Sequence, residues 1–154
     1  MRTRPGEGIL TTVRPVREED RDGWLPLWHG YNDFYRNDPT EEVTRVTFRR
    51  LCEGSDGLFG LVAEDDEGRL VGLAHLVFHP STWTTASYCY LEDLFVLREG
   101  RGSGAGRALI EGAYAEADRR GADRVYWHTQ QYNAPARSLY DAVGHATSFV
   151  VYER

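Results

Sequence analysis

The sequence is poor in sulfur and has no long apolar run. Only two cysteines, Cys52 and Cys89, occur in 154 residues. Both sit inside apolar or aromatic stretches, and neither their number nor their spacing provides a zinc pattern or a disulfide framework. They read as buried free thiols, which points to a reducing cytoplasmic compartment. No apolar stretch approaches the roughly 18 residues of a membrane-spanning helix. The first ten residues carry two arginines but no apolar segment of the kind a secretory signal needs. Residues 1–8 read as a flexible tail, and residues 9–154 as one domain. A basic block is missing as well. The formal net charge is −6, so no cationic face for nucleic acid is expected.

What is present suits a single soluble core: 41% of residues are hydrophobic and 27% charged. Acidic clusters stand at Glu18-Glu19-Asp20, Glu41-Glu42 and Glu64-Asp65-Asp66-Glu67. They fit solvated loops and helix ends, and they also provide a field that attracts cations.

Periodicity gives the element order. Ile9–Val16 reads as a strand. Glu18–Arg36 reads as a helix with Trp24, Leu27, Trp28, Tyr31, Phe34 and Tyr35 along one stripe. Pro26 suggests that this helix starts near Leu25. Thr40 is placed to cap a second helix that ends at Gly54. Leu58–Glu64 and Arg69–Phe78 form an antiparallel hairpin around Asp65–Gly68. Ala86–Leu97 is a further strand. Ala105–Arg120 is a helix with Ala105, Leu109, Ile110, Ala113 and Ala117 facing inward. Arg124–Thr129 follows as a strand parallel to the preceding one, because a whole helix separates them. Ala134–Val143 is a short helix, and Phe149–Tyr152 a closing strand. The expected fold class is α/β, a mixed central sheet with helices on both faces.

The strongest motif lies between the strand at 86–97 and the helix at 105–120. It reads Arg101-Gly102-Ser103-Gly104-Ala105-Gly106-Arg107. A helix N-terminus has unpaired amides, and glycines before it let an anion approach them. Arg101 and Arg107 can add charged contacts. The spacing is neither the dinucleotide fingerprint nor a phosphate loop ending in Gly-Lys-Ser/Thr.

This run resembles the R/Q-x-x-G-x-G/A signature of the Gcn5-related N-acetyltransferases (GNAT). Leu91-Glu92-Asp93-Leu94-Phe95-Val96 is similar to the preceding strand of the diamine acetyltransferases. Tyr126–Thr129, Asn133 and Ala136–Tyr140 resemble the later strand and helix, also found in fungal enzymes that acetylate histones, polyamines or D-amino acids. The resemblance implies a GNAT fold and acetyl-CoA as donor, with coenzyme A held by Phe95, Val96, Arg101, Gly102, Ser103, Gly104, Ala105, Gly106, Arg107 and Asn133. It implies acetyl transfer by direct attack in a ternary complex, and a homodimer as the usual state. The chain departs from the family's pattern at its end, where His145 follows the helix-ending Gly144 and the last hairpin is short or shared with a second subunit.

Acetyl transfer to an amine needs a donor for the charge that develops on the thioester oxygen, a route for the amine's proton, and an acid for the departing thiolate. Two roles fit Glu92: the base, which the resemblance implies, or a structural carboxylate. Strict alternation puts Tyr88, Tyr90, Glu92 and Leu94 on one face and Cys89, Leu91, Asp93 and Phe95 on the other. Asp93 then makes a hydrogen bond on the face opposite Glu92, or is itself the base. Tyr140 matches the family's acid, or is an aromatic rim residue. Asn133 either caps the last helix or touches the coenzyme arm. His128, in the parallel strand, reads as a structural histidine. The other histidines, His29, His75, His79 and His145, share no ligand spacing, and no metal is expected. Cys89 has no histidine placed to activate it. Tyr31, Tyr35, Trp83, Tyr88 and Tyr90 fit an aromatic acceptor cleft, where cation–π contact with Glu92 and Asp93 nearby suits a small cationic amine. An amino acid, an aminoglycoside or a protein lysine remains open as acceptor, as does a non-catalytic acyl-CoA sensor.

Overall fold

A computed structural model describes residues 11–154. The tail at 1–8 and the start of the first expected strand, Ile9 and Leu10, lie outside the described residues. The elements are β1 (Thr12–Pro15), α1 (Arg21–Phe34), α2 (Glu41–Glu53), β2 (Leu58–Glu64), β3 (Leu70–Pro80), β4 (Ser87–Val96), α3 (Ala105–Arg120), β5 (Arg124–Tyr126) and α4 (Ala134–Val143). The strands form one sheet in the order β1-β2-β3-β4-β5, antiparallel up to β4 and parallel between β4 and β5.

Two helical layers cover the sheet. On one face, Leu61, Ala63, Ala74, Leu76, Cys89 and Leu91 pack against α3. The buried residues of α3 are Ala105, Leu109, Ile110, Ala113 and Ala117, the stripe its 3.6-residue period predicts. Leu109 and Ile110 are fully buried, and each contributes about 1.5–3 kcal/mol by leaving water. On the other face, Val62, Leu70 and Leu73 pack against Trp24, Leu27, Trp28, Phe48 and Leu51 of α1 and α2. Gly30 lets α1 lie directly on β4: a Cβ there would come within 2.7 Å of the Phe95 ring.

Local chemistry explains most boundaries. Thr40 Oγ1 accepts the Val43 amide, and Gly54 closes α2 in the left-handed region. In the β2–β3 turn, Asp65 Oδ1 accepts the amides of Glu67 and Arg69.

Three expectations change. Helix α1 begins at Arg21, after a 3-10 turn at Glu18–Asp20, and holds Pro26 inside it. The proline faces the carbonyl of Asp22, four residues back in the first turn, where few helical bonds precede it and the disruption is smallest. Strand β5 stops at Tyr126, so His128 lies beyond it. Phe149–Tyr152 forms no strand; its side chains are 64–91% exposed. Strand-forming composition does not suffice when no neighbouring strand completes the hydrogen bonds.

Candidate active site

The site begins with an irregularity in β4. His75 lies opposite Asp93 and Leu76 opposite Leu91, so Glu92 has no partner on β3. This bulge interrupts the alternation. Cys89 and Leu91 face α3, and beyond the bulge so do Leu94 and Val96. Phe95 packs on the α1 side instead, as does Asp93, whose Oδ2 is 2.8 Å from His75 Nδ1. The faces expected for Asp93, Leu94 and Phe95 are therefore exchanged, because one extra residue turns every later side chain over.

A cavity of about 400 Å³ opens between α1, α2 and the sheet. Its walls include Trp28, Tyr31, Tyr90, Glu92 and Asp93. Glu92 is exposed at its edge, and its carboxylate takes part in no hydrogen bond among the described residues. Partial burial of the carboxyl, then the charge of Asp93, pushes its pKa above the usual carboxylate range. Tyr31 stacks near Trp28 and touches the ring of Tyr35 at 4.9 Å. Burial and the Asp93 charge raise the Tyr31 phenol strongly. Burial first, and then neighbouring anionic charge, also raises Tyr35 and Tyr90.

The parallel pair forks next to this cavity. Tyr90 and Tyr126 are the last paired residues of β4 and β5. Past them β4 continues to Val96, while the chain after Tyr126 turns away. The Leu97 amide bonds the Val71 carbonyl of β3. By antiparallel alternation, Val96 and Leu94 then turn their own backbone groups toward the vacated side, and Phe95 turns its own toward β3. The Val96 carbonyl indeed accepts from Arg101 Nε at 3.3 Å on that side. A narrow slot runs through the fork, walled by Leu91, Leu94, Trp127 and Tyr140. Tyr31 and Glu92 line both the slot and the larger cavity.

Tyr140 projects from α4, its ring edge-on to Trp127 at 5.5 Å. Burial, then the Tyr35 phenol, raises its pKa, so it keeps its proton. Asn133 precedes α4, and its carbonyl accepts the Arg137 amide, but its side chain makes no cap. The capping alternative therefore falls away, and the amide side chain is left for another partner.

The glycine turn follows the end of β4 and leads into α3. Gly102 and Gly104 have φ of +81° and +82°, and a Cβ on either would meet no atom within 4 Å. They are glycine for backbone conformation, and the space before them is open. Gly104 ends the turn at the N-terminus of α3, where no side chain caps the helix and no acidic residue stands in the first turn. The amides of Gly104, Ala105, Gly106 and Arg107 have no acceptor among the described residues. Four unpaired amides at a helix start form an anion cradle that fits a pyrophosphate. Ser103 contributes least, since its amide and hydroxyl both donate to the Gly100 carbonyl. Arg107 is drawn along the helix to Glu111.

The remaining candidates are more scattered. Trp83 is 75% exposed in the β3–β4 turn and lines neither cavity. The Tyr88 ring lies under Arg124 at 4.9 Å. His128 accepts or donates at Nδ1 to the Tyr90 hydroxyl, 3.2 Å away. Cys89 is buried, and its thiol is pushed up to about 11, which suits packing and not nucleophilic attack. Sequence reasoning missed His75, whose importance depends on the register that sets it against Asp93. It also treated Trp24 and Trp28 as plain core, although Trp24 Nε1 donates to His75 Nε2.

The Acetyltransferase (GNAT) family model matches residues 24–145, which span both helical layers and the glycine turn. The chain belongs to the GNAT family. Over 143 residues it is 36% identical to a D-amino-acid N-acetyltransferase of Saccharomyces cerevisiae, covering 92% of this chain and 89% of the relative. It is 27% identical over 144 residues to a thialysine N-epsilon-acetyltransferase of Mus musculus, covering 87% and 83%. Among solved structures, an aminoglycoside acetyltransferase in complex with a bisubstrate analogue of coenzyme A superposes with a TM-score of 0.79 at 18% identity, covering 94% of this chain and 97% of that one. This GNAT protein is an acetyl-CoA-dependent N-acetyltransferase, and its mixed sheet with four helices is the GNAT acyltransferase fold. No helix among the described residues is long and apolar enough to cross a membrane.

Proposed function

We propose that the acceptor is a small primary amine with a net positive charge, such as a polyamine, a diamine or a lysine-like side chain. The observation that carries this reading is the pair of adjacent carboxylates, Glu92 and Asp93, on a cavity walled by Trp28, Tyr31 and Tyr90, with no arginine among its lining residues. Anionic walls attract an ammonium, and aromatic faces hold it by cation–π contact.

In this reading the cradle of Gly104, Ala105, Gly106 and Arg107 amides holds the coenzyme's pyrophosphate, with Gly102, Ser103 and Arg101 shaping its rim. Acetyl-CoA supplies the activated acetyl group. The backbone of Leu94 and Val96 faces the arm in the fork, and Asn133 lies free to touch it. Glu92, where slot and cavity meet, takes the amine's proton. Its raised pKa brings it closer to the working pH, which favours a general base. Tyr140 donates a hydrogen bond to the departing sulfur. The acceptor and acetyl-CoA are bound together, so attack is direct.

An amino acid is the second reading, favoured by the 36% identity to a D-amino-acid N-acetyltransferase. Its carboxylate would meet no arginine on the cavity wall and would have to use neutral groups such as Asn37 and Thr47. A panel of spermidine, a diamine, lysine, neutral D-amino acids and an aminoglycoside, read as thiol release from acetyl-CoA, separates the readings. Turnover with cationic amines above neutral amino acids supports the first; the reverse order overturns it.

A homodimer fits the exposed apolar run Phe149–Tyr152, which a second subunit could cover. Light scattering that gives a monomer would overturn this. The two free cysteines, Cys52 and Cys89, suit a reducing, cytoplasmic location.

A further inference from the structure

A chain of buried polar side chains runs inward from the acceptor cavity. Asp93 Oδ2 lies 2.8 Å from His75 Nδ1, and His75 Nε2 lies 3.0 Å from Trp24 Nε1. His75 is 3% exposed and Trp24 is fully buried. An indole N–H can only donate. His75 Nε2 must therefore accept, which puts the ring proton on Nδ1 and makes His75 a donor to Asp93. The chain fixes both the histidine tautomer and the direction of every bond.

This is not a path for protons. Its inner end is an indole packed against Trp28 and Phe48, with ring centroids at 5.5 and 4.8 Å, and an indole does not exchange its proton during turnover. Packing does not demand a histidine either. Leu73, Ala74 and Leu76 around it on β3 are fully buried and apolar. A polar side chain in that company costs stability unless it is fully bonded. What the chain achieves is orientation. It holds Oδ2 of Asp93, while the Tyr31 phenol stands beside the same carboxylate on the cavity wall. It also ties β3 to β4 at the last regular pair before the bulge, His75 to Asp93, and so sets where Glu92 projects.

We propose that Trp24 and His75 are positioning residues that hold the Asp93 carboxylate on the wall of the acceptor cavity as an anchor for the substrate's ammonium, leaving the neighbouring Glu92 to take the proton. The two adjacent carboxylates thus divide the work. Asp93 is bonded and fixed; Glu92 is unbonded and free to change charge. The proposal rests on the cationic-acceptor reading above.

The test has two independent parts. The first is nitrogen NMR of the intact protein, read for the His75 ring. The proposal expects a neutral ring protonated on Nδ1; a ring protonated on Nε2 overturns it whatever the enzyme acetylates. The second is kinetics of Trp24→Phe, His75→Leu, Asp93→Asn and the double variant Trp24→Phe/Asp93→Asn, with the panel amine that the wild type turns over fastest. Asp93→Asn and His75→Leu should raise the acceptor KM about ten- to a hundredfold, the scale of a lost bond to a charged group. The turnover number should change far less, and calorimetric affinity for coenzyme A should stay at the wild-type value. Trp24→Phe should give a smaller rise, and in the double variant it should add almost nothing to Asp93→Asn, because both act through one anchor. A purely structural role predicts multiplying losses and weaker coenzyme binding, and that result overturns the proposal. Should His75→Leu fail to fold, Trp24→Phe and the NMR reading decide alone. A wild type silent on the whole panel removes the acceptor reading itself, whereas an active wild type with an unaltered Asp93→Asn KM removes only the anchor.

Discussion

Tyr90 stacks on Tyr126, with ring centroids 4.9 Å apart and planes 13° from parallel, at the point where β4 and β5 stop pairing. The stacked rings close the paired part of the sheet, and the fork opens beyond them, where we place the coenzyme arm.

Glu92 is placed where the fork meets the larger cavity, and its carboxyl is raised by partial burial and by Asp93. As a base it must be ionised, so activity should fall as pH drops through its raised pKa. Glu92→Gln should lower turnover about a hundredfold or more near neutral pH. The loss should shrink at high pH, where the amine is already neutral. A loss independent of pH would assign Glu92 a structural role. Stability depends on pH in the opposite sense. A carboxyl raised in the folded state makes the protein less stable as pH rises past its unfolded value. Glu92→Gln should therefore leave the thermal midpoint at neutral pH unchanged or higher.

Tyr140 keeps its phenolic proton because burial raises its pKa. Tyr140→Phe removes only the hydroxyl, and its packing against Trp127 survives. Turnover should fall roughly ten- to a hundredfold, while calorimetric affinity for coenzyme A barely changes. Wild-type turnover in this variant would remove the residue from the chemistry.

Much of this was legible in the sequence. The inward stripe of α3 follows from a 3.6-residue period that no other contact disturbs, and the glycine turn announces itself by composition. The bulge at Glu92 is different. A two-residue period runs unbroken through Tyr88–Val96 on the page, and only the pairing with His75 and Leu76 shows where it slips. His75 was invisible for the same reason, since its partner is 18 positions away. Phe149–Tyr152 reads as a strand by composition, yet a strand needs a neighbour, and β5 ends after three residues.

Asp20 carries a prediction about stability. It accepts from Arg14 Nη1 and Nη2 at 2.7 and 2.8 Å and from the Arg17 amide at 2.8 Å, while Arg14 Nε also holds Glu64. This network joins β1, the turn before α1, and β2. The Arg14 guanidinium holds the Asp20 carboxyl below its usual range. The contribution is therefore fully present above the unfolded carboxyl's pKa of 3.8 and is lost as pH falls through the lower folded value. Asp20→Asn should cost about 1–3 kcal/mol at pH near neutral in urea titration. The gap to wild type should close in strong acid. A gap that persists there would mean the network does not act through charge.

Gly104 holds φ at +82° before the first turn of α3. Valine is strained in that region and would project into the open space beside the first turn of α3. Gly104→Val should weaken coenzyme A binding at least tenfold, with a native circular dichroism spectrum. Unchanged affinity would show that the turn is only a connection.

We propose that the amides of the glycine turn grip the coenzyme. The most direct measurement is amide NMR of the labelled protein during titration with coenzyme A. The largest shifts should fall on Gly104, Ala105, Gly106 and Arg107, with smaller ones on Leu94 and Val96 along the fork. Saturable binding that leaves those amides unmoved, or no binding at millimolar coenzyme A, would contradict it.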